Sequence, residues 1–479
     1  MNLPVQQAED FTLSQLPTDA RTLGIGKDLP GPKGILGTVS KLRRNALAAL
    51  VEFNETYGDI CRIKFGLKEQ AVIISHPDDI RTVLSDRHGH FQKNGNRNFK
   101  EIDRFFTNSL FTSDGEFNKR QRKLLKPTFN PMLTDQFAAP MVNAAKEMMD
   151  RWDAQKLTRV NLKGEVLALT RRNICENVLG VSEDFHQAAQ TLRESFEVAN
   201  ILTMERARQI LPLPLWVPTP QNARFLNAKK KMLALIEAVI EHHTAAPTPT
   251  RSMVQMFMQA KYADNNQPMA HEQLLTECMT LCFGAYETSA NTFTYAFHFL
   301  SKYPDIRARL EHDIDTLLEG RLPAVSDVGR LGYARKILNE TMRHYTPGSM
   351  LIRCAKQQTE LAGYTIAANT MIVLNIYSMH RHRDYWDNPL AFDPSRFDLE
   401  RLSEEKKHAF IPFGGGGRSC IGMGMAMMDG ILLLATVMQR YRIDNAIDYA
   451  DSAAPSLRRI VMGPEGQIPV LLERRQPCI

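Results

Sequence analysis

The sequence lacks most of the signals that would sort it quickly. Among its 479 residues no apolar run approaches the length of a membrane span, and residues 431–438 form the longest conspicuous one. The opening residues, MNLPVQQAEDFTLSQLPTD, have neither the basic start nor the apolar segment of a secretory signal. A soluble, cytoplasmic protein without a membrane anchor is therefore expected. Seven cysteines (61, 175, 278, 282, 354, 420 and 478) form an odd, scattered set without a disulfide framework or a paired zinc pattern. That usage fits a reducing compartment. Cys278 and Cys282 can share a helix face, but no further ligand nearby completes a metal set, so both read as small buried hydrophobes. Internal repeats and a domain-sized linker are also missing.

What is present suits a large core. Hydrophobic residues make up 43% and charged residues 23%, and the mean hydropathy of −0.29 is that of a globular chain. A net charge of +6 fits a patch for an acidic partner better than a nucleic-acid surface.

The chain is organised around Phe413-Gly-Gly-Gly-Gly-Arg-Ser-Cys420-Ile-Gly422. Its consecutive glycines let the backbone pass close to something flat or bulky. Cys420 stands just before a strongly helical apolar stretch, residues 421–441. A thiol there meets the positive end of the helix dipole and unpaired N–H groups, which are expected to lower its pKa, with Arg418 adding positive charge. A shielded thiolate is a good axial ligand for haem iron. A phosphate loop is excluded because no Gly-Lys-Ser/Thr follows, and a dinucleotide fingerprint because Ser419 falls where its third glycine should stand. By itself the stretch also fits a glycine turn with a buried structural cysteine.

Along the chain, residues 1–35 are polar and proline-punctuated, an irregular lead-in to one large domain over 36–479. A helix is predicted over residues 40–57, then a hairpin from residues 60–65 and 71–75. Residues 85–114 read as a long Phe-rich loop, either core filler or the wall of an apolar pocket. A basic helix follows from Gly115, closed by Pro127; most of its charges fit a solvated face. Helical patterns fill residues 133–262, broken by the rigid, apolar, proline-rich loop 211–220. Residues 245–250 connect helices, and 441–475 read as terminal strands.

A long helix is predicted over residues 271–300. Inside it Gly284 costs about 1 kcal/mol relative to alanine, which suggests a close approach there. Thr288, four residues on, lies over Gly284 and can bond its carbonyl or open the ladder to water; Glu287 sets an acid beside this alcohol. Such a pair suits controlled proton delivery, although a kinked core helix would look the same. Glu340-Thr-Met-Arg343 is a common acid–base spacing, informative only through its position. His380 and His382 show no third ligand.

Four of these features stand in the order found in the haem-thiolate monooxygenases, the cytochrome P450 family: the acid–threonine helix, Glu340-x-x-Arg343, Phe392-Asp-Pro-Ser-Arg396-Phe397 and the cysteine loop. They span residues 284–422, with weaker likeness from about residue 30 to the end. The resemblance implies a mainly α fold with small β-sheets (α+β), with haem b (iron protoporphyrin IX) between a long central helix and the cysteine loop. It makes Cys420 the iron ligand within the Phe413–Gly422 motif. Arg122, Arg353 and Arg418 become propionate partners, Glu287 and Thr288 the protonation pair. Glu340, Arg343 and Arg396 become a buried brace. The family's usual tryptophan four residues before its C-helix arginine is Asn118 here, which puts one propionate contact in question. Ala285 replaces the second glycine of the family's helix pattern, and Asp429 stands where the family often has glutamate. Residues 185–205 and 221–244 correspond by order to its mobile lid.

The implied activity is insertion of one oxygen atom of O2 into a C–H bond of a lipophilic molecule, by hydroxylation or epoxidation. No flavin or nicotinamide module is seen, so electrons are expected from a ferredoxin or flavodoxin with its NAD(P)H reductase. The partner would dock around Arg120, Lys123 and Lys126 on a monomer. A peroxide-driven or isomerising haem-thiolate enzyme and a non-catalytic haem sensor share the cysteine loop.

Overall fold

The structure, a computed structural model, describes residues 29–476 apart from 65–69, 87–88, 94, 96, 182–185, 210–211, 246–251 and 447–453. Most of the lead-in, the 245–250 connection and part of the terminal segment therefore lie outside the described residues.

Where one helix is expected over 40–57 there are two, α1 (Ile35–Arg44) and α2 (Ala46–Tyr57). Asn45 separates them: its backbone is extended and its side chain accepts from Ala48 N at 3.1 Å, capping the second helix. β1 (Ile60–Lys64) and β2 (Gln70–Ile74) form the expected antiparallel pair, with Ile60 opposite Ile74. After α3 (Pro77–Ser85) and β3 (Phe91–Gln92), the Phe-rich stretch departs from expectation. It holds a helix, α4 (Arg97–Phe106), that buries Phe99, Phe105 and Phe106. Aromatic residues are poor helix formers, so only packing reveals it: Phe105 meets Phe225, and Phe106 meets Phe283 at a ring distance of 4.6 Å.

The basic helix is α5 (Gly115–Leu125), followed by α6 (Pro131–Thr134), α7 (Ala138–Ala154) and β4 (Arg159–Asn161). Helix α8 (Leu162–Asn173) continues into a π-turn at Ile174–Leu179. Two long helices, α9 (His186–Arg208) and α10 (Pro220–Ala245), pack on each other and lead to α11 (Met253–Gln259). Then comes α12 (His271–Lys302), one continuous helix through Gly284. Residues 290–301 are buried on every side, as a central core helix should be.

Helices α13 (Pro304–Leu318) and α14 (Gly332–His344) pack on α12. Strands β5 (Leu351–Ala355), β6 (Thr359–Leu361), β7 (Tyr364–Ile366) and β8 (Met371–Leu374) follow, then the short α15 (Ile376–Met379) and α16 (Glu404–His408). Helix α17 (Met423–Arg440) runs from the cysteine loop into the core. A Cβ at Gly430 would lie 2.7 Å from the Phe293 ring and 2.9 Å from Leu338, so glycine is what lets α17 pack this closely on α12 and α14. The chain closes with β9 (Tyr441–Asn445), β10 (Pro455–Ser456), β11 (Gly463–Pro464) and β12 (Pro469–Arg474). One sheet has the order β1-β2-β8-β5-β3, another β4-β12-β9, and β6-β7 and β10-β11 are hairpins. The fold is thus mainly α with small sheets. Among the described residues no helix is long and apolar enough to cross a membrane.

Candidate functional site

A cavity of about 480 Å³ lies between α12 and the cysteine loop, lined by Gly284, Thr288, Phe413, Cys420 and Gly422 among others. The loop's shape is dictated locally. Cys420 N donates to Phe413 O at 2.8 Å, closing the turn. Gly416 has φ +62°, and a Cβ there would fall 2.1 Å from Leu84 O, so no other residue fits between the loop and α3. Cys420 is an exposed residue and lines this cavity.

The expected depression of the Cys420 pKa is not found. Burial pushes the thiol upward; the Gly422 backbone N–H and Arg122 pull it down but are outweighed. Helix α17 begins only at Met423, and Arg418 is engaged elsewhere, so the dipole and the neighbouring arginine do less than their sequence positions promise.

Four cations gather at the cavity edge: Lys93, Arg122, Arg353 and Arg418. Arg418 bonds Asp114 at 2.6 Å, Arg122 Nη2 donates to Ser419 Oγ at 3.2 Å, and Arg353 is buried with Nη1 on the Ile352 carbonyl. Burial and the neighbouring guanidiniums of Arg353 and Arg418 hold Lys93 well below the usual lysine range, and burial with Arg418 draws Arg353 down to about 10. Such an excess of buried positive charge calls for anions. Arg418 Nη1, buried and without a hydrogen-bond partner among the described residues, is a donor aimed at none of the protein's own acceptors. Two carboxylates of a bound haem would answer both features, and the sulfur of Cys420 would face its iron. The residues present fit the group.

Lys93 was not singled out by sequence; it follows β3 in an unremarkable stretch, and only the fold brings it to the arginines. Asn118, in the tryptophan position, donates instead to Leu110 O at 2.8 Å and Ser113 Oγ at 3.1 Å. It pins the segment between α4 and α5 that also meets Lys93 Nζ, on Phe111 O at 2.8 Å. From the other side both oxygens of Glu277 accept Leu110 N at 3.0 Å. Glu277 is buried on α12, and burial pushes its carboxyl up to about 7.

Thr288 Oγ1 donates to the Gly284 carbonyl. A Cβ at Gly284 would meet nothing within 4 Å, so the space beside it is cavity, not a neighbouring element. Glu287 and Thr288 are not brought together. Helical rotation turns Glu287 away from the first cavity into a second, polar one of about 550 Å³. There Glu287 accepts from Arg459 Nη1 at 2.8 Å.

Glu340 receives Arg343 Nε at 2.7 Å, Arg396 Nε at 3.3 Å and Asp393 N at 2.9 Å. Arg343 also reaches the His380 carbonyl at 2.8 Å, and His380 Nε2 accepts from Ile411 N at 3.1 Å, just before Phe413. This network, with Glu340, Arg343 and His380 fully buried, braces the run into the cysteine loop. His382 instead pairs with Asp59, and no metal-holding cluster of His, Cys, Asp or Glu occurs among the described residues.

The cytochrome P450 profile matches residues 29–467. Cyclooctat-9-en-7-ol 5-monooxygenase of Streptomyces melanosporofaciens is 26% identical over 86% of the chain and 88% of its own length. Pentalenene oxygenase of Streptomyces avermitilis is 27% identical over 86% and 90%. The crystal structure of the cytochrome P450DA heme domain superposes with a TM-score of 0.84 at 20% identity, covering 95% of this chain and 99% of that one.

Proposed function

The chain belongs to the cytochrome P450 family, and from that premise we propose that it oxygenates a C–H bond of a terpenoid-like lipophile, using haem held by Cys420 and electrons from separate redox proteins. The observation that carries this reading is Cys420 lining a cavity whose edge gathers four cations. Arg122, Arg353, Arg418 and Lys93 would hold the propionates. The bound haem supplies O2 activation and the oxidising power.

The chain's own residues do the rest. Thr288 Oγ1, tied to Gly284 O, presents a hydroxyl to the open space on α12, where it can take and pass a proton. Glu287 lies behind it on the polar side. Phe99, Phe111, Phe257 and Ile460 give the cavity apolar walls that exclude water and select for lipophilic ligands. Relatives named for cyclooctat-9-en-7-ol and for pentalenene favour a cyclic terpenoid-like lipophile over a straight chain.

The test is the absorption spectrum of the dithionite-reduced protein with carbon monoxide. A strongly red-shifted Soret band, lost in Cys420→Ala, is expected; a protein that binds no haem would sink the reading.

A further inference from the structure

We propose that Arg459 is a positioning residue that controls when Glu287 carries a proton, and that it answers to what occupies the cavity beside Cys420. The inference rests on the haem-thiolate reading above.

Arg459 stands between β10 and β11, in residues 457–462. Both ends of this connection are fixed. Leu457 O accepts from Arg208 at 2.6 Å, Met462 N donates to Pro347 O at 3.0 Å, and Met462 O accepts from Asn291 at 3.0 Å. A Cβ at Gly463 would come within 2.3 Å of the Asn291 amide, so the hairpin is seated hard against α12. Between the fixed ends the tip divides its side chains. Arg459 bonds Glu287 in the polar cavity, while Ile460 and Val461 line the cavity beside Cys420. A ligand pressing on these two is one or two residues from the guanidinium.

Glu287 is a group such a contact can switch. Its side chain is only 8% exposed, and Oε2 is buried without a hydrogen-bond partner among the described residues. Burial favours the neutral acid, and Arg459 is the strongest opposing influence. The other charged groups around it are Lys163 and Arg171 from α8, Arg193 and Glu197 from α9, and Glu465 beyond β11. Lys163 favours the carboxylate and Glu197 opposes it. Arg459 also lies 3.9 Å from Glu197, so it has a second carboxylate to move toward when displaced. Withdrawal from Glu287 lets burial prevail and raises its proton occupancy.

The experiment is an infrared pH titration of the carboxyl C=O stretch in the full-length protein, with the Glu287 signal identified by its loss in Glu287→Gln. Arg459→Gln should move the midpoint upward by about one pH unit or more, the usual scale for removing an adjacent opposite charge. Arg459→Lys should restore most of it. Val461→Phe, which fills that side of the cavity beside Cys420, should shift the midpoint when Arg459 is present and not when it is Gln. An unmoved midpoint in Arg459→Gln overturns the proposal, as does a Val461→Phe shift of equal size in both backgrounds or no Glu287 signal in any variant. The carbon monoxide spectrum separates the two claims. A normal band with an unmoved titration sinks the Arg459 role alone, whereas absence of haem sinks the reading beneath it.

Discussion

Asp429 is a carboxyl fully inside the protein, with Oδ2 on Asn173 Nδ2 at 3.0 Å and Oδ1 unpartnered among the described residues. Burial pushes it up to about 7 from an ordinary 3.8. Between those values the folded state holds a proton that the unfolded chain has released, so stability falls as pH rises through this window. Above it, the ionised form is disfavoured by roughly 4 kcal/mol if the whole shift is expressed. Asp429→Asn keeps an acceptor for Asn173 and has no charge to bury. Its Tm should match the wild type near pH 4 and exceed it by a few degrees at pH 8. Equal pH profiles would show that the site is wetter than the packing implies. Glu277, raised to about 7, pulls in the same direction, so the variant should retain part of the slope.

The cysteine loop is held by elements distant in sequence, and its prediction belongs at that scale. Removing the Glu340 carboxylate by Glu340→Ala leaves Arg343 and Arg396 buried without their counter-charge. The expected loss is about 3–5 kcal/mol, with haem content falling alongside thermal stability. Gly416→Ala should also reduce haem content, because its Cβ meets the Leu84 carbonyl in a left-handed backbone conformation. Unchanged haem retention in both would disprove the bracing role. How much was legible in sequence follows the same division. Cys420, Thr288, Glu340 and Arg396 sit in local patterns with fixed spacing, and the helices bearing them have clear periodicity. Helix α4 was hidden because phenylalanines carry little helical preference, and Asn45 divided a helix through a local cap. Lys93, Arg459 and the Asn118 contacts were invisible because their partners are brought near only by the fold. The Cys420 pKa was misjudged for a related reason: dipole and charge can be counted along the chain, but desolvation cannot.

Across the whole molecule the excess charge of +6 matters where it is uncompensated. Of the three basic residues expected at the partner-docking surface, Arg120 is bound to Asp264 at 2.8 Å and lies over the Tyr262 ring. Lys123 and Lys126 are exposed and have no ion-pair partner among the described residues. Beyond them α6, which packs on α17, exposes Met132 and Leu133, and α17 exposes Met423 at its first position. Apolar side chains beside lysines suit a short-lived protein contact, with charge governing encounter and the methionines governing residence. Lys123→Glu with Lys126→Glu should slow reduction by an acidic ferredoxin about tenfold at low salt and flatten the dependence on ionic strength. Met132→Asp should act differently, shortening the complex's lifetime while leaving the salt slope nearly intact. Stopped-flow reduction across a salt series separates the two effects. If the lysine variants reduce at the wild-type rate with the same slope, electrons arrive through another face, and the basic excess serves something other than the redox partner.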